Sequence, residues 1–170
     1  MREEDFLFRE AAPADLPAVA EIIRLAKERM RQAGSLQWQD GYPAREDMER
    51  DLVRGYGRVL EYGGRVAAYG AVVFDGEPAY ETIDGAWTGA SPYVAVHRLA
   101  VSGDMLGRGV ATLFMRRTEE LAHGRGIRSF RVDTNFDNRP MLKMLGRLGF
   151  VRCGEVKYGE DSRLAFEKVW

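Results

Sequence analysis

Between residues 93 and 134 a strand, a glycine turn, a helix and a second strand follow one another, and this order constrains the fold more than any other feature. Residues 93–101 are rich in β-branched and aromatic side chains, which suit a pleated strand. After Gly107-Arg108-Gly109, the apolar residues Val110, Leu113, Phe114 and Leu121 mark a helix that Gly124 or Gly126 stops. Residues 127–134 read as the next strand. Two strands joined through a helix run parallel with a right-handed crossover, so the segment is one βαβ unit.

The remaining elements are mostly joined as hairpins. Residues 6–9 alternate apolar and polar as a first strand. From Asp15, residues Leu16, Val19, Ala20, Ile22, Ile23, Ala26 and Met30 recur at helical spacing, and Gly34 ends that amphipathic helix. Residues 37–43 are loop-like, and a weaker helix over 45–53 turns Met48 and Leu52 inward. Strands over 58–62 and 65–74 meet at Gly63-Gly64, a strong hairpin signal. Residues 75–92 form a long polar and aromatic connection, of a length that is uncommon in a compact domain and often functional. A helix over 140–148 and strands over 150–157 and 164–169 close the chain. The expected architecture is a mixed α/β sheet, mostly antiparallel with one parallel βαβ unit, and not a doubly wound one. With no repeat and no low-complexity tract, residues 1–170 read as a single domain.

Composition excludes several classes. A chain of 170 residues, 45% hydrophobic and 30% charged, is long enough to bury a core and has the balance of a soluble globular protein. Its net charge of -1, from 25 Lys+Arg against 26 Asp+Glu, lacks the basic footprint of nucleic-acid binding. No apolar run approaches the length that spans a bilayer, and the acidic start (Met1, Arg2, Glu3, Glu4, Asp5) is unlike a signal peptide. One cysteine, Cys153, permits no internal disulfide and agrees with a reducing cytosol. A cytoplasmic protein with no membrane or nucleic-acid partner is expected.

Two Gly-Arg-Gly triplets occur, and context separates them. Gly124-Arg125-Gly126 lies between helix and strand, where a helix stop and turn account for it. Gly107-Arg108-Gly109 lies between strand and helix. Glycines there let the backbone approach a ligand, and the N–H groups at the helix start make an anion site to which Arg108 adds a charged donor. The alternative is a tight turn with a solvated arginine. No G-x-x-x-x-G-K-[ST] occurs, which excludes a P-loop, and the parallel units of a dinucleotide fold are missing.

Taken together, residues 93–150 resemble the GCN5-related N-acetyltransferase superfamily. The matching elements are a strand ending Leu99-Ala100-Val101, the turn Gly107-Arg108-Gly109-Val110-Ala111, a helix and a strand, then Asn138 before Met141, Leu145 and Gly149-Phe150. The upstream strand, two helices and hairpin follow the same family order, so the resemblance covers nearly the whole chain. It implies that acetyl-CoA is the cosubstrate, held without a metal where the strands over 93–101 and 127–134 splay apart. Main-chain groups of Leu99, Ala100 and Val101 would pair with its pantetheine arm. Backbone N–H groups of Gly107, Arg108, Gly109, Val110, Ala111 and Thr112 would hold the pyrophosphate. Asn138, with Met141 behind it, would bond the arm, and an N–H near Leu99 or Val101 would polarise the thioester carbonyl. Two positions depart from the family pattern. Leu106 stands where Gln or Arg is preferred, and Leu145 stands where many members carry a tyrosine that protonates the departing thiolate. Either unaided departure of a thiolate or another donor must then serve, and Tyr158 is one candidate donor.

An amine must shed a proton to attack a thioester, and histidine is suited to accept it. His123 sits beside Gly124 at a helix end and reads as solvated. His97 precedes Leu99-Ala100-Val101, and alternation puts it on the same face as Leu99 and Val101. The arylalkylamine N-acetyltransferases carry a histidine at the matching place as base, so His97 is either that base or a structural histidine. Arg98, facing the other way, reads as an ion-pair partner, and Cys153 as a packed thiol. For the acceptor, the family uses the loop between the first helices, here with Trp38, Asp40 and Tyr42, and the region before the fourth strand, here with Tyr80, Glu81, Asp84 and Trp87. Such aromatics beside carboxylates either receive a cationic amine or plug the end of the domain. Asp133 and Asn135 share one strand face and could reach the same place.

The leading expectation is an N-acetyltransferase that acts on the amine of a small molecule in a ternary complex. A non-catalytic acetyl-CoA or CoA sensor and a protein lysine or N-terminal acetyltransferase are the alternatives. The long connection over 75–92 suggests a covered site and a small acceptor. A homodimer is the assembly that such families suggest.

Overall fold

Apolar spacing becomes packing first in α1, Leu16–Gln32, whose Val19, Ile22, Ile23 and Ala26 are all buried. The computed structural model describes residues 1–90 and 92–170. Around α1 stand α2 (Arg45–Arg54) and three antiparallel strands, β1 (Phe6–Glu10), β2 (Gly57–Tyr62) and β3 (Arg65–Val73). These belong to a unit made of Met1–Val72 and Arg98–Thr118. Its core joins the α1 residues to Met48 of α2, Val59 of β2, Tyr69 of β3 and Trp38. On the other side of β3, Gly70 faces the Phe114 ring so closely that a Cβ would lie 2.7 Å from it.

The second unit comprises Val73–His97 and Glu119–Trp170. It contains α3 (Pro78–Glu81), β4 (Asp84–Gly85), β6 (Ser129–Thr134), α5 (Arg139–Leu148), β7 (Val151–Tyr158) and β8 (Asp161–Val169). Strand β5 (Val94–Val101) and helix α4 (Val110–Gly124) each start in one unit and end in the other. The strand order is β1-β2-β3-β5-β6-β8-β7-β4. This is the expected mixed sheet, with β5 and β6 parallel and the flanking pairs antiparallel. The parallel ladder holds only two pairs, Val94↔Phe130 and Ala95↔Arg131, and both strands continue past it.

The connection over 75–92, which includes Ser91 outside the described residues, is more structured than its sequence suggests. Besides α3 it carries β4, which pairs with β7 as Asp84↔Glu155 and Gly85↔Gly154. The two backbones nearly touch: a Cβ on Gly85 would lie 2.2 Å from the Cys153 carbonyl oxygen, and one on Gly154 would lie 2.1 Å from that of Asp84. The connection is also pinned by Glu167 of β8, whose side chain is fully buried. Its carboxylate accepts from the Thr88 and Gly89 amides at 2.6 and 2.8 Å, the Ser129 hydroxyl at 2.7 Å and Arg131 Nε at 2.9 Å. Arg131 in turn lies over the Trp87 and Tyr93 rings, 4.5 and 4.2 Å from their centroids.

Candidate functional site

Two groups of expected residues stand in different units. In the first unit, β5 ends in Leu99, Ala100 and Val101, and a short 3-10 turn over Gly103–Met105 leads to the glycines. Gly107 (φ 71°) and Gly109 (φ 77°) are left-handed, a conformation that costs glycine little. A Cβ at either would meet nothing within 4 Å, so the turn is open on that side. Helix α4 begins directly after it at Val110, and the Leu113 amide bonds the Gly109 carbonyl at 2.9 Å. The amides of Gly109, Val110, Ala111 and Thr112 precede the first helical bond, as at any helix start, and present a row of donors beside exposed Arg108. An open glycine turn with successive N–H groups fits a pyrophosphate.

Alternation does not carry through β5. Arg98 is left-handed (φ 56°), and one such residue inside a strand resets which face its successors take. The expectation that His97 shares a face with Leu99 and Val101 rests on unbroken alternation and fails at this residue. Arg98 does form the expected ion pair, with Asp51 of α2. Of the acceptor residues expected in this unit, Trp38 is a core residue and Tyr42 accepts from Arg98 Nη1 at 2.7 Å.

The second unit brings His97 and Asp133 together. Nδ1 of His97 lies 3.9 Å from Asp133 Oδ2, and Nε2 lies 3.6 Å from Glu77 Oε2. The histidine is mostly buried, with 13% of its side chain exposed, so it stands between two carboxylates with little water. Asp133 Oδ2 also accepts from the Tyr80 hydroxyl at 2.7 Å and the Tyr158 hydroxyl at 2.8 Å. The Tyr80 ring packs on His97 at 5.9 Å, and burial followed by the nearby Asp133 charge pushes its hydroxyl well above the ordinary tyrosine range. Tyr80 is therefore a neutral donor to Asp133 at physiological pH. Tyr93 orients Glu77 by accepting from its amide at 2.8 Å.

Glu77 is absent from the sequence expectations. It caps α3, its Oε1 accepting from the Ala79 amide at 3.2 Å, and the acid-before-Pro78 pattern is a readable helix start. Glu81 and Trp87 line an open cleft of about 610 Å³ that is also walled by Phe74, Ile83 and two residues of the His97 cluster, Tyr80 and Tyr93. The Trp87 indole is committed to the Tyr80 carbonyl at 2.8 Å. Asn135 is buried and donates to Asp137, while Asn138 caps α5 by accepting from the Met141 amide at 3.3 Å. Leu145 is fully buried in α5, so no proton donor exists at that place, whereas Tyr158 stands at Asp133. Among the described residues, no group of three or more His, Cys, Asp or Glu is arranged to hold a metal. No helix among them is long and apolar enough to cross a membrane.

Comparison with known proteins adds to this geometry. Residues 19–150 match the model of the acetyltransferase (GNAT) family. A GNAT-family acetyltransferase from Streptococcus agalactiae is 34% identical, with a TM-score of 0.87 over 97% of this chain and 95% of that one. YncA from Salmonella typhimurium, solved with its cofactor acetyl-CoA, shares the fold at 18% identity, with a TM-score of 0.67 over 97% and 94%. The PaiA N-acetyltransferase from Thermoplasma acidophilum, solved with coenzyme A, does so at 14% identity, with a TM-score of 0.71 over 97% and 99%. No curated protein matches the chain.

Proposed function

The chain belongs to the acetyltransferase (GNAT) family, and from that membership we propose that it transfers the acetyl group of acetyl-CoA to the amine of a small molecule in a ternary complex. The carrying observation is His97, held between Glu77 and Asp133. Acetyl-CoA supplies an acetyl thioester, and its transfer to an amine forms an amide and releases the thiol. In this reading Gly107, Gly109 and the first amides of α4 hold the pyrophosphate, and the main chain of Leu99, Ala100 and Val101 holds the pantetheine arm.

The acceptor arrives as an ammonium ion, which Glu77 and Asp133 attract. His97 takes its proton, and the two carboxylates stabilise the resulting imidazolium. Tyr80 and Tyr158 fix the Asp133 carboxylate by donating to the same oxygen. Tyr158, on β7, is the proposed proton source for the departing sulfur in place of Leu145: its O–H turns from Asp133 to the sulfur, and the proton taken by His97 restores it. The small-molecule reading draws support from the connection over 75–92, which supplies Glu77 and Tyr80 and is pinned through Glu167 rather than left open. A cytoplasmic setting, with its reduced thiols, suits the single Cys153.

Calorimetric titration with acetyl-CoA, followed by an amine panel read as thiol release, tests the proposal. The Gly107→Glu, Gly109→Glu variant should stay folded and lose binding, because two carboxylates then face the anion site and both side chains strain the left-handed turn that presents its amides. His97→Gln should keep acetyl-CoA affinity and lose about 10²-fold in kcat. A folded wild type that binds no acetyl-CoA, or a His97→Gln variant of undiminished kcat, refutes it.

A further inference from the structure

Arg98 is one of two non-glycine residues with left-handed backbone among those described, and the only one inside a strand. Arginine does not favour that conformation, so the surrounding structure must impose it. The imposing contacts all lie within the first unit. Nε of Arg98 donates to Asp51 Oδ2 at 2.8 Å, Nη2 grips Oδ1 of the same carboxylate, and Nη1 donates to the Tyr42 hydroxyl. The Tyr69 hydroxyl also donates to Asp51 Oδ2. The pair is shielded from water, with 15% of the Arg98 side chain and 4% of the Asp51 side chain exposed. A bidentate, buried pair of this kind fixes the guanidinium in both position and plane.

The segment after Arg98 is clamped at its far end as well. Arg29 Nη2 donates to the Val101 carbonyl at 3.0 Å, and the Ser102 amide bonds the Ala67 carbonyl at 2.8 Å. The three residues between the clamps are Leu99, Ala100 and Val101. We propose that Arg98 is a positioning residue. The Asp51 carboxylate, through the Arg98 side chain, holds a left-handed turn that aims the main chain of these three residues at the acetyl-CoA arm. The inference rests on the acetyltransferase reading above. A plain structural tie between α2 and β5 would need the side-chain bonds but not the backbone conformation, and this difference separates the two.

The test uses full-length variants in an Asp51→Asn background, so that removing the arginine strands no buried carboxylate. Arg98 is replaced by Gly, Asn or Ala, and acetyl-CoA affinity, KM, kcat and thermal midpoint are measured for each. All three lose the same ion pair, but glycine accepts a left-handed φ freely, asparagine tolerates it and alanine resists it. The expected result is acetyl-CoA affinity ranked Gly, then Asn, then Ala. Glycine should lie within about threefold of wild type and alanine about tenfold or more below glycine. Thermal midpoints should fall in all three and not follow that ranking. Should the alanine variant fail to fold, the glycine and asparagine variants carry the comparison. Equal affinities across the variants, or affinities that simply follow the thermal midpoints, overturn the inference. Failure of the wild type itself to bind acetyl-CoA instead removes the reading on which it rests.

Discussion

Replacing Glu167 by alanine should cost about 3–5 kcal/mol, because it strands the buried Arg131 guanidinium without its countercharge. Arg131 has 7% of its side chain exposed and Glu167 none. Summing four charged hydrogen bonds would overstate the loss, since Thr88 is an exposed residue whose amide, part-buried in this bond, can turn to water once the carboxylate is gone. The Ser129 hydroxyl and Arg131 Nε are buried and cannot, so they set the cost. Glu167→Gln should cost less, about 2–3 kcal/mol, because one oxygen still serves the loop amides while the new NH2 faces Arg131. Replacing both partners, Glu167→Met with Arg131→Met, should cost less than Glu167→Ala alone. Guanidinium denaturation at pH 7.5 measures all three. A single alanine variant within about 1 kcal/mol of wild type, or a double variant as damaged as the single, would refute the reasoning.

The same group makes a pH prediction. Burial alone pushes the Glu167 carboxyl up, but the Gly89 amide, the Ser129 hydroxyl, Arg131 and the Thr88 amide together outweigh it and hold the group below the ordinary 4.5. Its folded pKa is therefore below its unfolded one. The stability it contributes is complete above the unfolded value and is lost as pH falls through the folded value. Wild type should lose stability more steeply than Glu167→Gln below about pH 4.5, so the gap between them narrows in acid.

Two further outcomes are expected. Asp133→Asn removes one of the two carboxylates that stabilise an imidazolium at His97, so the acid limb of kcat/KM should move to lower pH; an unmoved or raised limb counts against His97 as base. Gly154→Ala places a Cβ against the Asp84 backbone and should cost about 2–4 kcal/mol, with faster hydrogen exchange at the Ala86 amide that bonds the Cys153 carbonyl; wild-type exchange there would contradict it.

The fold was legible where periodicity was long. Helix α1 and the βαβ segment announce themselves through repeated apolar spacing, and the glycine turn through its place between a strand and a helix. Strand β4 was not legible, since two residues carry no period and its pairing depends on the absence of a side chain at Gly154, far along the chain. The turn at Arg98 was hidden for a related reason: alternation is an assumption about φ, and nothing in an arginine signals a left-handed one. His97 and Asp133 were readable as chemistry. Glu77 was not, because a carboxylate in a connection looks like any solvated charge until the chain brings it to 3.6 Å from His97.

The near-contact of Gly85 and Gly154 also bears on how such a sequence can change over time. Two positions 69 residues apart must both lack a side chain for the backbones to meet, so neither can drift independently of the other. A lineage that gains a side chain at one of them gives up β4, and the glycine at the other is then released from constraint. Across relatives, the two glycines should be inherited or lost as a pair.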